Sequence, residues 1–340
     1  MEANSQRIIL RNIARKAMDE KGFQTGFPPG VLKELEIVGL NSIIQQSMND
    51  LRHLLWCSID NEDSRDLDQL SWAEKFAENS IRVLIAIADV DALVEAHSEI
   101  DSHASLNTTS VYTVAELFPM LPERLSTDLS SLNENEDRAA LVIEMVVEDS
   151  GIILSSDVYC AMVHNYAKLD YETVGNWLDG TGAMPEPLRK IEGLAENIRL
   201  QEKAAQDLRE LRYERGALDF EKVEARPVFE GDILTAMKET GKNRAKNMIE
   251  DFMIASNTVT AQFLASKGFP SLRRVVKTPG RWDRMVELAR EQGFELTGEA
   301  SPKSLAECFK FVKNKRPASY TDFTFSILKL IGGGEYILEM

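Results

Sequence analysis

Leu54-Leu55-Trp56-Cys57-Ser58-Ile59, running directly into Asp60-Asn61-Glu62-Asp63-Ser64-Arg65-Asp66-Leu67-Asp68-Gln69-Leu70, is the stretch that decides how this chain is read. The first six residues have the length and apolarity of a buried strand, and Val83-Leu84-Ile85-Ala86-Ile87-Ala88-Asp89 supplies another soon after. Between them, five carboxylates fall within the ten residues from Asp60 to Gln69. Carboxylates at that density repel one another, so one holds its proton to a higher pH or a cation joins them, and hard oxygen ligands suit Mg²⁺. An arbitrary charge run is usually a solvated loop. Here the end of a buried strand puts Asp60, Asp66 and Asp68 where the backbone can hold them.

A chain of 340 residues with 44% hydrophobic content can bury a substantial core, as one large domain or two ordinary ones. No apolar run approaches the ~20 residues of a membrane helix, and Met1-Glu2-Ala3-Asn4-Ser5-Gln6-Arg7 lacks the apolar heart of a secretory signal. The expected compartment is the cytoplasm, with no membrane association. Cys57, Cys160 and Cys308 are odd in number and far apart, which fits reduced thiols and opposes a disulfide framework or zinc knuckle. His53, His97, His103 and His164 show no metal-ligand spacing either. The net charge of −16 argues against nucleic acid as a sum, but not as a distribution. Asp60 to Asp101 holds twelve acidic and three basic residues, whereas Lys267 to Arg290 holds seven basic and two acidic. An acidic metal pocket and a basic stripe can share one groove.

Residues 5–20 and 30–50 carry helical periodicity, split by a turn at Gly26-Phe27-Pro28-Pro29-Gly30. The pattern predicts strands at 53–59, 83–89, 141–147 and 152–155, a turn at Asp149-Ser150-Gly151, and long helices over 186–213 and 243–266. Phe323 to Ile331 and Tyr336 to Leu338, joined by Gly332-Gly333-Gly334, read as two strands of a terminal hairpin. Strands and long helices mix without the regular alternation of a doubly wound sheet, so the fold class is α+β.

The acidic run resembles the signature of the ribonuclease II family of hydrolytic 3′-to-5′ exoribonucleases, in which Ile-Asp is followed by a loop ending in Asp-x-Asp-Asp. Further blocks agree in order: Ile87-Ala88-Asp89-Val90, Thr109-Ser110-Val111-Tyr112 through Phe118-Pro119-Met120-Leu121-Pro122, Tyr171-Glu172-Thr173-Val174, Arg215-Gly216-Ala217-Leu218-Asp219-Phe220, Met248 to Asn257, and Leu272-Arg273-Arg274-Val275. The resemblance covers residues 51–340, preceded by a helical lead-in over 1–50. It implies the family's mixed α+β catalytic domain and Mg²⁺-dependent hydrolysis of single-stranded RNA to 5′-mononucleotides.

Carried over residue by residue, the resemblance makes Asp60, Asp66 and Asp68 the first three family aspartates and puts Gln69 at the fourth, where a neutral amide oxygen replaces one charge. Asp60, Asp68 and Gln69 are the implied metal ligands. Tyr112 and Phe220 match the aromatic positions on which bases stack. Glu250 and Asn257, seven residues apart on one helix face, match positions near the RNA end, and Arg273, Arg274, Lys277 and Arg281 suit phosphate contacts.

Two departures accompany the match. Residues 1–50 read as helical where the family has OB-type RNA-binding modules. The family's Thr/Ser-Pro-x-Arg-Arg-Tyr block, whose arginine contacts the scissile phosphate, is not found before Met340. The sequence is therefore expected to hold a catalytic domain without its carboxy-terminal part. A rival reading is an RNA-binding module in which Gln69 and the missing arginine leave no turnover.

Overall fold

The computed structural model of the chain describes residues 6–38, 48–218, 220, 224–276, 279–296 and 298–339. Helices α1 (Gln6–Glu20) and α2 (Pro29–Ile37) precede the short strand β1 (Asn49–Asp50). Strands β2 (Trp56–Asp60), β3 (Gln69–Ala77) and β4 (Ser80–Ala88) follow, then α3 (Glu99–Asn107), the small hairpin β5 (Val111–Tyr112) and β6 (Leu117–Phe118), and a π-helical turn at Leu125–Leu129. The long strands β7 (Asp137–Glu148) and β8 (Ile153–Asp170) lead into α4 (Tyr171–Leu178), α5 (Glu186–Lys190) and α6 (Leu194–Glu214). A second hairpin, β9 (Glu224–Glu230) and β10 (Ile233–Thr240), is followed by α7 (Arg244–Ser266), β11 (Ser271–Val275), α8 (Trp282–Glu291), α9 (Pro302–Lys315), α10 (Pro317–Ile331) and β12 (Glu335–Glu339). No described helix is long and apolar enough to cross a membrane.

The sheet closes on itself through β8. Its first part pairs antiparallel with β7, from Ile153 opposite Val147 to His164 opposite Asp137. Its last part runs parallel to β2, with Leu169 opposite Ile59 and Asp170 opposite Asp60. Pairing of β2 with β3, β3 with β4 and β4 with β7 completes the circuit. A register shift where Trp56 and Cys57 meet Asn165 and Ala167 lets β8 bend from one partner to the other. The buried Asn165 holds that bend, its amide donating to the Leu132 carbonyl at 2.7 Å and to Ser58 Oγ at 3.2 Å.

Both faces of this sheet are covered, which explains why β4 is apolar almost throughout. Val83 and Ile85 face a core shared with α6 and α7, including Ile198, Met248 and Phe252. Leu84 and Ala86 point the other way, into a cluster with Trp56, Leu70, Trp72 and Val142. A separate core joins α8, α9 and α10 around Met285, Phe309 and Phe323, and a small one holds α2 against α3. Helix α7 starts at the N-cap Asn243, whose Oδ1 accepts from the Lys246 amide at 2.9 Å while Nδ2 donates to the Tyr171 carbonyl at 2.7 Å. Its one side chain thus fixes both α7 and the start of α4. Asn243→Ala is expected to cost about 1–2 kcal/mol, read as a lowered urea midpoint with unchanged slope.

The α+β class, with mixed strands and long helices, agrees with the sequence reading, but three local expectations are corrected. Residues 323–331 are not a strand: they belong to α10, where Tyr320, Phe323, Thr324 and Ile327 are buried at helical spacing. Only 335–339 is extended, and it pairs with β11 instead of its sequence neighbour. Of the helix expected over 30–50, the described residues show α2, while Asn49 and Asp50 are extended and pair parallel with Ala161 and Met162; residues 39–47 lie outside the described residues. The long 186–213 helix is two helices, broken at Gly193, whose φ of +84° is left-handed.

Candidate active site

Strand pairing brings the acidic residues to one end of the sheet. Asp60 is the last residue of β2, Gln69 the first of β3, and Asp66 and Asp68 lie on the loop between. That loop is held by its backbone. The Leu67 amide donates to Ser131 Oγ at 3.0 Å, the Leu132 amide to the Leu67 carbonyl at 2.8 Å, and Lys168 Nζ to the carbonyls of Glu62 and Ser64 at 3.1 and 2.6 Å. Asp68 is anchored to β4 by its own carbonyl, which accepts from the Ala88 amide at 3.0 Å.

Among the described residues, Asp60, Asp66 and Asp68 of this loop have no basic side chain paired with them. Among the described residues Asp60 Oδ1 accepts only from Asn61, and Asp66 Oδ2 accepts a short hydrogen bond from the Tyr112 hydroxyl. The loop's own arginine, Arg65, turns to Glu123 at 2.8 Å. Among the described residues no Lys, Arg or His pairs with Asp60, Asp66 or Asp68. Asp68 keeps contact with solvent at the mouth of the site, yet the surrounding chain strips water from its carboxyl. That desolvation, reinforced by the charges of Asp60 and then Asp66, pushes it up to about 6. The hydrogen bond to Asp66, with desolvation and the same carboxylates behind it, pushes the Tyr112 phenol up to about 12. Burial, then Asp60 and Asp68, likewise raises Tyr171.

Whether these residues suit Mg²⁺ depends on the donor set. No three His, Cys, Asp or Glu side chains among the described residues form a ready-made cage. Mg²⁺ does not require one, since it usually takes one or two carboxylates and completes its shell with water and substrate phosphate. Carboxylates without a cationic partner among the described residues, one of them raised by desolvation and then by its like-charged neighbours, fit such partial ligation. Gln69 is a poorer donor than the sequence suggests: it is buried, and its amide nitrogen donates to the Ile59 carbonyl at 3.3 Å.

The expected RNA-contacting residues divide into groups. Tyr112 is 67% exposed with its hydroxyl on Asp66, so its ring faces solvent beside the carboxylates. Phe220 and Arg274 instead line one cavity of ≈ 670 Å³ in the carboxy-terminal helical region, Phe220 edge-on to Phe309 with centroids 5.4 Å apart. Arg274 stacks over Tyr336 at 5.9 Å, and Arg273 pairs with Glu339 at 2.8 Å. Glu250 and Asn257 are both exposed on α7, Glu250 paired with Lys242 at 3.0 Å. Arg281 stands at the N-cap position of α8 without a side-chain capping bond, whereas Asp219 and Lys277 lie outside the described residues.

Sequence reading gave no role to Asp170 and Tyr171, which parallel pairing sets beside Asp60. Asp170 caps α4 by accepting from the Thr173 amide at 2.8 Å and from its hydroxyl, a pattern legible as Asp-x-x-Thr before an apolar helix.

Ribonuclease R of Vibrio parahaemolyticus is 32% identical over 292 residues, covering 83% of this chain and 35% of that protein. Ribonuclease R of Escherichia coli is 32% identical over 298 residues, covering 84% and 36%. The chain thus spans about a third of the length of these curated relatives. The structure of Mycoplasma genitalium RNase R in complex with ribose-methylated single-stranded RNA superposes with a TM-score of 0.88 at 23% identity, over 98% of this chain and 52% of that one. Yeast Ssd1, described as a pseudonuclease, shares the fold with a TM-score of 0.68 at 14% identity, over 88% and 36%. The RNB domain matches residues 48–337, nearly the whole of the described chain, and this protein therefore belongs to the RNB-domain family, the ribonuclease II type that its acidic loop resembles.

Proposed function

We propose that this protein is a cytoplasmic, Mg²⁺-dependent exoribonuclease that degrades single-stranded RNA from its 3′ end to 5′-mononucleotides, with residues 51–340 as its catalytic unit and 1–50, which hold α1 and α2, as a lead-in. The single observation that carries the reading is the trio Asp60, Asp66 and Asp68, fixed by backbone bonds at one sheet end and lacking any cationic partner among the described residues. Leaving such charges unpaired is costly, and sites that do so are commonly functional. The RNA complexes of Mycoplasma genitalium RNase R support RNA as the substrate class.

In this reading Asp60, Asp68 and the Gln69 carboxamide oxygen would hold the metal, and Asp66 would complete the charge. When bound, Mg²⁺ supplies the positive charge that offsets charge on the phosphoryl oxygens. Asp66 and Asp68 orient water by accepting its hydrogens. Asp66 also positions Tyr112, whose exposed ring stacks on a base near the scissile bond. Phe220, with Arg274 in the same cavity, holds a more distant nucleotide by stacking and phosphate pairing, and Glu250 and Asn257 contact the RNA end from α7.

Tyr112→Ala is expected to weaken single-stranded RNA binding by about 1–3 kcal/mol, roughly 5- to 150-fold, in fluorescence anisotropy. Tyr112→Phe retains the ring and should bind within about twofold of the parent, since it loses only a hydrogen bond to the protein. Equal weakening by both variants would reject stacking.

A second reading, an RNA-binding module without turnover, is favoured by one observation: the buried Gln69 amide is committed to Ile59 and brings no charge to the site. The shared fold of a pseudonuclease is consistent with it. Titration of Mg²⁺ with labelled RNA separates the two, because only the enzyme releases mononucleotides.

A further inference from the structure

A cavity of ≈ 380 Å³ lies between α6, α7 and the turn that joins β7 to β8. It is far from the carboxylates. At their end of the sheet the Asp68 carbonyl is bonded to Ala88, the last residue of β4, whereas Ser80, the first, pairs with Glu148 beside the β7–β8 turn. The eight steps along β4 from Ser80 to Ala88, at ~3.3 Å each, put about 26 Å between the two ends. The volume is that of a small-ligand site, and no residue of the carboxylate loop lines it.

One wall of the cavity is charged. Asp251, 3% exposed, accepts from Arg209 Nε at 2.7 Å and from Arg212 Nη2 at 2.6 Å. Two guanidiniums thus share one carboxylate and leave one positive charge over, and Arg212 keeps N–H groups that the pair with Asp251 does not use. Arg215, at the end of α6, also lines the cavity and has no hydrogen bond or ion pair among the described residues. Asp149 and Asp207 share Lys203 at 3.5 and 2.6 Å, and neither lines the cavity. An excess of positive charge, in a chain of net charge −16, suits a phosphate monoester, which carries about two negative charges at neutral pH. The other wall is apolar, with Ile153, Leu208 and Ile254. Ile254, Thr258 and Gln262 recur at helical spacing on the face of α7 that carries Asp251. Thr258 spends its hydroxyl on the Ile254 carbonyl at 2.9 Å, but the Gln262 carboxamide has no partner among the described residues. An amide sets a donor beside an acceptor, the pattern that pairs with the N6 and N7 edge of adenine.

We propose that this cavity is a binding site for a nucleoside 5′-monophosphate, with Arg212 and Arg215 on the phosphate, Ile153, Leu208 and Ile254 against the base, and Gln262 on an adenine edge. The site is separate from the carboxylates and stands whether or not they hydrolyse RNA. The test is calorimetric titration of the whole chain, under chelator, with adenosine 5′-monophosphate (AMP), adenosine and inorganic phosphate. AMP is expected to bind at least about tenfold more tightly than either adenosine or phosphate, because it fills both walls at once. Arg215→Ala should weaken AMP by at least about tenfold and leave adenosine within about twofold. Since Arg215 holds no described partner, the variant should keep the parent's urea midpoint, which separates lost binding from lost folding. The parent should prefer AMP over cytidine 5′-monophosphate by about fivefold or more, and Gln262→Leu should bring the two to within about twofold. Asp68→Asn, at the other end of the sheet, should leave AMP binding within about twofold. Amide exchange locates the ligand: AMP should slow residues 149–153 and 251–262 and leave 60–70 unchanged. Equal binding of AMP and inorganic phosphate would mark an adventitious ion only and overturns the proposal, as does a Kd for AMP above about 1 mM. So does AMP binding that Arg215→Ala leaves intact, or protection confined to 60–70.

Discussion

Asp68→Asn is expected to lower Mg²⁺-dependent shortening of single-stranded RNA by at least about a hundredfold while leaving RNA bound within a few-fold of the parent. Asparagine keeps the shape of the side chain and one oxygen, so the loop pinned by Ser131, Leu132 and Lys168 stays in place. What it removes is a negative charge from a set already short of one at Gln69. The same substitution has a second, opposite consequence for stability. The folded-state pKa of Asp68, about 6, lies above its ordinary value of 3.8. The folded protein therefore binds more protons than the unfolded chain between those values, and stability contributed by the neutral carboxyl is present below about pH 4 and lost as pH rises through about 6. Because Asp68 is partly open to solvent, screening reduces the effect to the order of 1 kcal/mol. In metal-free protein at pH 7, Asp68→Asn should then melt higher than the parent, the two converging near pH 4. Mg²⁺ should raise the melting temperature of the parent alone. A variant that is both inactive and destabilised at pH 7 would point to a structural role for Asp68 instead.

Gly151→Ala is expected to destabilise the fold by about 3–5 kcal/mol, enough to leave a marginal domain largely unfolded near 37 °C. Gly151 makes the turn between β7 and β8 at a φ of +78°, a left-handed conformation that side chains resist. Space forbids the methyl group as well: a Cβ there would meet the Asp207 carbonyl oxygen of α6 at 2.2 Å, which is backbone and cannot swing aside. Relief requires the β7–β8 turn to lift from α6. Since β8 is the strand that closes the sheet and delivers Asp170 and Tyr171 to Asp60, any surviving folded fraction should also lose activity. Urea unfolding by circular dichroism measures the loss, and a change below about 1 kcal/mol would show that the turn is not seated as described.

The residues that carry charge were legible in the sequence, and those that frame it were not. Asp60, Asp66 and Asp68 stand within nine positions of one another beside an apolar run, so local pattern alone put them at a strand end. Asp170 and Tyr171 lie about 110 residues away and arrive through a parallel pairing that no local periodicity encodes. The β7 and β8 segments were placed, but far too short, because alternation fades where β8 changes partner at Asn165 and its apolar residues switch faces. Strand β3 went unread, since Gln69-Leu70-Ser71-Trp72 begins inside the acidic run and mixes polar residues that are buried in the sheet. At the end of the chain, Phe323-Thr324-Phe325-Ser326-Ile327 alternates like a strand, and only the burial of Tyr320, Thr324 and Ile327 against α8 and α9 shows the helix. Phe220 and Arg274, separated by more than fifty residues in sequence, share a cavity because α8, α9 and α10 pack together beneath them.

The central claim is that three carboxylates at one sheet end, with no cationic partner among the described residues, serve metal-dependent hydrolysis of RNA. Single-stranded RNA labelled at its 5′ end, incubated with this chain in Mg²⁺ and in parallel with chelator, tests it most directly. The account predicts progressive shortening from the 3′ end with release of 5′-mononucleotides in Mg²⁺ alone; RNA that stays bound at full length in both conditions would contradict it.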